Sequence, residues 1–156
     1  MKKGTISEEP WVIREIQHTD AKELFGLLNN LDTKTRSFFH PHPFDFDTIC
    51  EICKGKQDHY FVMVLEKRII GYSFLRLFGY SVPSFGIVIR NESTGKGYGT
   101  ILTQWTVDKA RALGYEKVIL KTYKENLQAK RMYEKIGFKT VGVTEDNRQF
   151  LMELNL

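Results

Sequence analysis

The chain has 156 residues, of which 42% are hydrophobic and 27% are charged, and its formal net charge is +4. This length fits one globular domain, and no apolar run reaches the roughly 20 residues that span a bilayer. The positive charge favours an acidic partner, which a phosphorylated cofactor satisfies as well as nucleic acid does. The two lysines near the start have no apolar stretch behind them, which is not typical of a secretory signal, so we expect a cytoplasmic protein.

The first part of the chain predicts a strand, a helix and then a loop. Residues 11–16 are strand-forming, and Thr19 or Asp20 is placed to cap a helix whose leucines recur at helical spacing. Residues 32–48 are rich in aromatic residues, histidine and proline and have no clean period. We therefore expect a loop here, leading into a short helix at about 45–55. Loops with this much aromatic surface often line a pocket.

Two cysteines lie in this predicted short helix. Cys50 and Cys53 have the C-x-x-C spacing of a redox pair or of half a metal site, and His40 and His42 add ligand types that suit zinc. The H-x-H and C-x-x-C spacings do not form a standard structural zinc array, and the chain has no second C-x-x-C. We therefore expect buried free thiols and no metal.

The rest of the chain predicts alternating strands and helices. Six further strand-like runs are expected, at residues 59–66, 68–78, 84–90, 117–123, 138–144 and 148–154. An apolar stripe predicts a long helix between the third and fourth of these runs, and it consists of Tyr98, Ile101, Leu102 and Trp105. Gly114 is placed to end this helix, and Asn126 opens another helix at 127–136. The pattern is that of one mixed α/β domain in which the strands flanking the long helix are parallel.

The stretch STGKGYGTIL, residues 93–102, places three glycines just before the long helix. Gly95, Gly97 and Gly99 lack a Cβ, so a ligand can approach the backbone closely where several N–H groups point the same way. The N-terminus of a helix favours an anion, and Lys96 adds a mobile positive charge. The G-x-G-x-G spacing matches neither a Rossmann fingerprint nor a Walker loop, which leaves a pyrophosphate as the candidate ligand.

A second pattern lies in NLQAKRMYEKIGF, residues 126–138. Apolar side chains follow helical spacing there, at Ala129, Met132, Tyr133 and Ile136. Taken alone, this is the stripe of a helix that packs on a core, and a tyrosine in such a stripe is more often packed than catalytic.

Together, the two patterns resemble those of the GCN5-related N-acetyltransferase (GNAT) superfamily. TGKGYG, Thr94 to Gly99, is similar to the family pattern [Q/R]-x-x-G-x-[G/A], except that Thr94 stands where Gln or Arg is usual. The family signature N-x-x-A-x-x-x-Y-x-x-x-G-F is met by Asn126, Ala129, Tyr133, Gly137 and Phe138. The resemblance is strongest over residues 84–140. It implies an α/β (α+β) fold, a single GNAT-type domain over residues 1–156. Its mixed, mostly antiparallel sheet would have six to seven strands with a splayed central pair, flanked by about four helices.

The resemblance also implies how acetyl-CoA would bind. Its pyrophosphate would rest on the glycine turn, its pantetheine arm would pair with the backbone of the preceding strand, and the hydroxyl of Tyr133 would point at the thioester sulfur as the catalytic acid. The implied cofactor-binding residues are Ile87, Val88, Ile89, Thr94, Gly95, Lys96, Gly97, Tyr98, Gly99, Thr100, Asn126 and Ala129.

The reaction implied is direct attack of an amine on the thioester within a ternary complex. A backbone N–H near residues 87–89 would hold the oxyanion. The aromatic loop would bind the acceptor, with Phe39, His40, His42 and Asp45 as the expected substrate-binding residues. The base that takes the proton of the amine is left open among His40, His42, Asp45, Asp47, Glu51 and a water chain.

The expected activity is that of an acetyl-CoA-dependent N-acetyltransferase acting on a primary amine, for which we favour a small molecule such as an amino sugar or a polyamine. The alternatives are an acetyltransferase of protein N-termini, as in the enzymes that modify ribosomal proteins, and a non-catalytic acyl-CoA-binding regulator. We expect neither a membrane nor nucleic acid as a partner, because the basic residues are scattered along the chain. The oligomeric state is left open, with a homodimer as one alternative.

Overall fold

The structure is a computed structural model that describes residues 9–55 and 57–156. Within these residues, seven strands form one sheet in the order β1-β2-β3-β4-β5-β7-β6. The strands are β1 (Trp11–Glu15), β2 (His59–Leu65), β3 (Arg68–Arg76), β4 (Ser84–Ile89), β5 (Lys117–Tyr123), β6 (Lys139–Val143) and β7 (Gln149–Asn155). The α-helices are α1 (Ala21–Asn29), α2 (Thr33–Phe38), α3 (Phe46–Cys53), α4 (Tyr98–Ala112) and α5 (Leu127–Ile136).

This architecture confirms the predicted mixed sheet. Neighbouring strands pair antiparallel except for β4 and β5, which flank α4 and are parallel as expected. The long helix ends where Gly114 adopts a φ of 93°, a conformation that suits glycine after a helix C-terminus.

The predicted loop at residues 32–48 is wrong in its first part, because residues 33–38 form α2. Its start is fixed by Asp32, whose side chain accepts a hydrogen bond from the Thr35 N–H at 2.7 Å. A helix of two turns is too short to show a period in the sequence, so the cap was its main signal. The short helix expected at about 45–55 is confirmed by α3, which Asp45 caps in the same way.

The sheet separates two layers of core. Side chains alternate between the faces of a strand, so Tyr72 of β3 packs with α1 and α3 on one face, whereas Phe61 of β2 packs with α4 and α5 on the other. Helix α4, which follows the glycine turn, and helix α5, which belongs to the second motif, therefore lie on the same face of the sheet.

Strands β4 and β5 touch at one end and then diverge. In the part of the chain that the structure describes, their register is limited to Ser84 opposite Ile119, and the Ile119 N–H donates to Pro83 O at 3.0 Å. Both contacts lie near the N-terminal ends of the strands. The strands therefore separate toward their C-terminal ends and leave a wedge between residues 85–89 and residues 120–123. This confirms the splayed central pair.

Candidate active site

The glycine turn before α4 is open and needs glycine at two positions. Gly95 and Gly97 have φ values of 75° and 86°, in the left-handed region that L side chains rarely adopt. A Cβ built on either residue would meet no atom within 4 Å. The backbone of the turn is thus uncovered on the side where a ligand would approach.

The main chain of this turn presents a series of unpaired donors. The first hydrogen bond of α4 runs from the Ile101 N–H to Gly97 O at 3.2 Å. In the described part of the chain, the N–H groups of residues 95–100 donate no hydrogen bond to a backbone or side-chain acceptor. We call these six N–H groups the amide cradle. Their position at a helix N-terminus suits a phosphate group, and Lys96 lies exposed among them.

Thr94 does not add a side-chain donor to the cradle. Its hydroxyl donates to Asn91 O at 2.8 Å and so stabilises the turn that precedes the glycines. The backbone donors that follow are unaffected by this bond.

The two sequence motifs and the end of β4 meet in space. The Thr103 hydroxyl of α4 lies 4.0 Å from Met132 Sδ of α5. A Cβ built on Gly99 would lie 3.7 Å from the same sulfur and 3.9 Å from Ile89 Cγ1. The start of α4, the middle of α5 and the C-terminal end of β4 therefore pack against one another beside the wedge.

The edge of β4 that faces the wedge has free backbone groups. The Arg90 N–H donates to Ile70 O at 2.7 Å, and antiparallel pairing alternates residue by residue. Val88 therefore directs its N–H and C=O toward β3, whereas Ile87 and Ile89 direct theirs toward β5, where no strand pairs with them in the described chain. Ile87 and Ile89 are thus placed to bind an extended ligand in the wedge. Val88, which was also expected to bind the cofactor, has its backbone groups paired with β3, and its role stays a prediction.

Tyr133 is held firmly, but its hydroxyl is free. Its ring lies edge-on to Phe85 and to Phe138, with centroids 6.1 Å and 5.8 Å away, and the residue is 7% exposed. Burial raises the pKa of the Tyr133 phenol, which keeps it protonated at neutral pH. Within the described residues its hydroxyl has no hydrogen-bond partner, yet it is not among the fully buried unpaired atoms. It can therefore donate to a ligand.

Asn126 and Ala129 precede this tyrosine, at the N-cap and in the first turn of α5. Asn126 is the N-cap residue, but its side chain forms no capping hydrogen bond. Its backbone is engaged, because its N–H donates to Tyr123 O at 2.9 Å and its C=O accepts from the Lys130 N–H. The amide side chain is thus available to a ligand. Ala129 packs against the core beneath α5.

Most of the residues expected to bind the substrate instead make contacts that stabilise the fold. Phe39 is 8% exposed and packs against Tyr72 and Phe44, so its expected place on the substrate surface is corrected to a place in the core. Asp45 caps α3 through the N–H and hydroxyl of Thr48, and these hydrogen bonds lower the pKa of its carboxyl. It therefore stays ionised and is a poor base.

His42 anchors the loop rather than facing the site. Its Nδ1 lies 2.8 Å from Pro43 O, an acceptor, so Nδ1 must carry the proton. Its Nε2 then accepts from the Tyr72 hydroxyl at 3.0 Å. Burial lowers the pKa of His42, which favours this neutral ring. Both nitrogens are in use, so His42 is not free to take a proton.

His40 is the loop histidine that reaches the C-terminal end of β5. Its Nε2 lies 2.9 Å from the hydroxyl of Tyr123, the last residue of that strand. Tyr123 belongs to a cavity of about 430 Å³, which we call the acceptor-side cavity. Its lining residues are Lys34, Ser37, Phe38, Tyr123, Glu125 and Arg148. Apart from the loop histidine, no residue of this region was expected from the sequence, because the lining comes from three distant segments.

The cysteines carry no sign of a reactive site. Cys50 and Cys53 are both free, and burial raises the pKa of the Cys53 thiol to about 12. Across residues 9–55 and 57–156, no group of three or more His, Cys, Asp or Glu side chains is arranged to hold a metal ion. The same residues contain no helix with the length and apolar character that crossing a bilayer requires.

The open cradle, the wedge and the buried tyrosine are the features that the resemblance to an acetyltransferase implies. A model of the Acetyltransferase (GNAT) family matches residues 25–138. The chain belongs to this family, which confirms the resemblance and the class of enzyme that it implies. Over 59 residues the chain is 42% identical to the uncharacterized N-acetyltransferase YobR of Bacillus subtilis (strain 168). That match covers 35% of this chain and 22% of the length of YobR.

Solved structures share the whole fold. An acetyltransferase of the GNAT family from Streptococcus pneumoniae has a TM-score of 0.79 at 20% identity, over 94% of this chain and 99% of that one. The ribosomal-protein-S5-alanine acetyltransferase of Vibrio fischeri has a TM-score of 0.81 at 17% identity, over 96% and 95%. Spermidine N-acetyltransferase of Vibrio cholerae, solved with CoA and spermine, has a TM-score of 0.78 at 22% identity, over 94% and 95%. These identities show a shared fold, and they leave the acceptor undefined.

Proposed function

We propose that this protein transfers the acetyl group of acetyl-CoA to the primary amine of a small molecule, by direct attack within a ternary complex. The observation that carries the proposal is the amide cradle, which begins the helix that packs against the C-terminal end of β4 and against Met132, on the same helix as Tyr133. We also propose that residues 1–156 form a single acetyltransferase domain, because one sheet runs through the described residues.

The donor is acetyl-CoA. Its diphosphate binds the amide cradle, where N–H groups and the positive end of the α4 dipole act together. The pantetheine arm lies in the wedge and pairs with Ile87 and Ile89, while the side chain of Asn126 supplies a further hydrogen bond. Support comes from the family membership and from the CoA complex of the Vibrio cholerae relative.

The transfer has a complete balance of bonds and protons. The neutral amine attacks the thioester carbonyl, and a backbone N–H on the wedge side of β4 stabilises the oxyanion. The C–N bond forms, the C–S bond breaks, and Tyr133 gives its proton to the departing sulfur. The attacking nitrogen loses one proton, which His40 accepts through Tyr123 and then releases to water. The tyrosinate is then reprotonated from water, since the raised pKa of Tyr133 favours the neutral phenol.

His40 is the best-placed acceptor of the amine proton. In the Nδ1-protonated tautomer, its Nε2 accepts the hydrogen bond of the Tyr123 hydroxyl. The amine can then pass a proton to Tyr123 as Tyr123 passes its own to His40, which leaves a neutral tyrosine and an imidazolium. An imidazole suits this task because one ring nitrogen can accept a proton while the other keeps its own.

A small-molecule acceptor agrees with the acceptor-side cavity. Its volume of about 430 Å³ falls within the range of about 300–1,000 Å³ typical of small-molecule pockets. The cavity lies at the C-terminal end of β5, next to Asn126, whose N–H donates to Tyr123 O. A donor in the wedge and an acceptor in this cavity would therefore meet at the end of β5.

Two matched glycine variants test the donor site. Gly97→Ala and Gly114→Ala both place a side chain at positive φ, with nothing within 4 Å, so each should lose about 1 kcal/mol of stability. We expect Gly97→Ala alone to weaken acetyl-CoA binding, by about tenfold or more, because it disturbs the cradle. Equal affinities of the two variants by isothermal titration calorimetry would contradict the proposed donor site.

Thiol release tests the activity itself. The protein is mixed with acetyl-CoA and with small amines, amino sugars and peptides that have free N-termini, and free CoA is measured. We expect release with small amines. Release with peptides alone would favour an acetyltransferase of protein N-termini, and binding of acetyl-CoA without release would favour a regulator.

A further inference from the structure

The acceptor-side cavity is lined by charges of both signs, and none of them forms a salt bridge within the described chain, although the carboxylates of Asp32 and Asp146 lie near Lys34 and Arg148. Lys34 and Arg148 are positive and Glu125 is negative, and no ion pair joins any of the three to another described side chain. Among the residues that line the cavity, two cations face one carboxylate. A ligand that complements these charges needs an anionic group and a single ammonium.

Two aromatic side chains line the same cavity as these charges. The rings of Phe38 and Tyr123 lie 5.8 Å apart and are tilted by 32°. The guanidinium carbon of Arg148 lies 5.9 Å from the centroid of the Tyr123 ring. The backbone of Arg148 is fixed as well, because its N–H donates to Asp146 Oδ1 at 3.0 Å. A positive group thus stands beside the tyrosine that we assign to proton transfer.

We propose that the acceptor is a primary amine that also carries an anionic group, a carboxylate or a phosphate, and that polyamines are poor acceptors. The inference rests on the proposed function, since it names the acceptor of that same site. The ammonium group binds at Glu125 and releases one proton to water to become the neutral nucleophile, and the anionic group binds at Lys34 and Arg148. A polyamine would bring several ammonium groups to a cavity in which one carboxylate faces two cations.

Matched pairs of acceptors test the inference through thiol release at saturating acetyl-CoA. The carboxylate pair is phenylalanine and phenylalaninamide, the phosphate pair is phosphoethanolamine and ethanolamine, and spermidine is the polycation. Rates are compared per neutral amine, because the amide lowers the pKa of its amine. We expect kcat/KM to be about tenfold or more higher for at least one anionic member than for its partner, as two exposed charge pairs would give.

Charge-reversal variants show whether the cavity causes the preference. Lys34→Glu and Arg148→Glu should each lower kcat/KM for the preferred anionic acceptor about fivefold, and less so at high salt. Both variants should raise the activity toward spermidine. Lys139→Glu is the control, since Lys139 is also exposed but begins β6, at the end of the β6–β7 hairpin away from Arg148. This control should leave the preference unchanged.

The possible results separate this inference from the proposed function. Thiol release that favours spermidine, or that ignores the anionic group, overturns the inference and leaves the acetyltransferase standing. A preference that all three charge variants retain overturns it too. If no acceptor releases thiol, the proposed function fails, and the same pairs are titrated into the CoA-bound protein and followed by NMR. Tighter binding of the anionic members then supports the inference, and equal binding overturns it.

Discussion

Tyr133→Phe removes one hydroxyl and tests the proposed general acid. Phenylalanine keeps the edge-on contacts with Phe85 and Phe138. The hydroxyl has no partner in the described residues, so we expect the free energy of unfolding to change by less than about 1 kcal/mol. The loss of a general acid should slow acetyl transfer about 10²–10⁴-fold. This corresponds to a barrier higher by about 3–5 kcal/mol.

The assay combines single-turnover thiol release, acetyl-CoA affinity and urea unfolding. Tyr115→Phe is the matched control, because the Tyr115 hydroxyl does have a partner, His59 Nε2 at 2.8 Å. The control should lose about 0.5–1.5 kcal/mol of stability and keep its rate, the opposite of the result expected for Tyr133→Phe. A Tyr133→Phe protein with the normal rate would show that the tyrosine is only a packed core residue.

Two further predictions concern the fold around the site. Gly86→Ala should destabilise the protein by about 1–3 kcal/mol in urea unfolding, because its Cβ would meet the ring of Phe74. Gly26→Ala in α1, with nothing within 4 Å, should instead be neutral or stabilising, and equal losses in the two variants would contradict this packing. The pKa of His42 is lowered in the native protein. Between that pKa and about 6.5, the unfolded chain therefore binds more protons than the native chain. The free energy of unfolding should fall as pH drops through this window, by at most about 1.4 kcal/mol per pH unit. His42→Gln should reduce this slope, whereas an unchanged slope would assign it to other groups.

The elements that could be predicted from the sequence are those with a strong local signal. The run at 117–123 alternates buried and exposed residues and is β5 in the structure, and the helix at 127–136 has the same bounds as α5. Helix α2 was missed because six residues show no period, although Asp32 and Thr35 carried its cap. Local propensity is a weak guide at that length.

The donor side of the site could also be predicted, since each of its motifs is contiguous. The cradle lies within residues 95–100, and Asn126 is the N-cap of the helix that contains Tyr133. The sequence could not predict which residues of β4 direct their backbone groups toward the wedge. This depends on the register between β4 and β3, in which the Arg90 N–H donates to Ile70 O. Roles for these residues stay predictions until ligand binding is measured.

The acceptor side could not be read from the sequence, for a physical reason. Lys34, Glu125 and Arg148 come from a helix, a loop and a hairpin turn that only tertiary structure brings together. In contrast, Phe39 belonged to a segment whose aromatic content suggested an exposed pocket, but aromatic side chains bury much apolar area and the fold uses this one as core.

Exposure to water explains how the N–H groups of the amide cradle can remain unpaired without a ligand. Residues 95–97 are exposed, so water can satisfy their N–H groups, and unpaired donors are costly only when they are buried. A diphosphate would replace this water with charge-assisted hydrogen bonds. We therefore expect binding to require no rearrangement of the turn.

The most direct test of the account is an NMR titration of isotope-labelled protein with CoA and with pantetheine, which lacks the diphosphate. The account predicts that the amide resonances of residues 95–100 shift and saturate with CoA, and that pantetheine leaves them in place. Resonances that stay unmoved at saturating CoA, or that shift equally with both ligands, would contradict it.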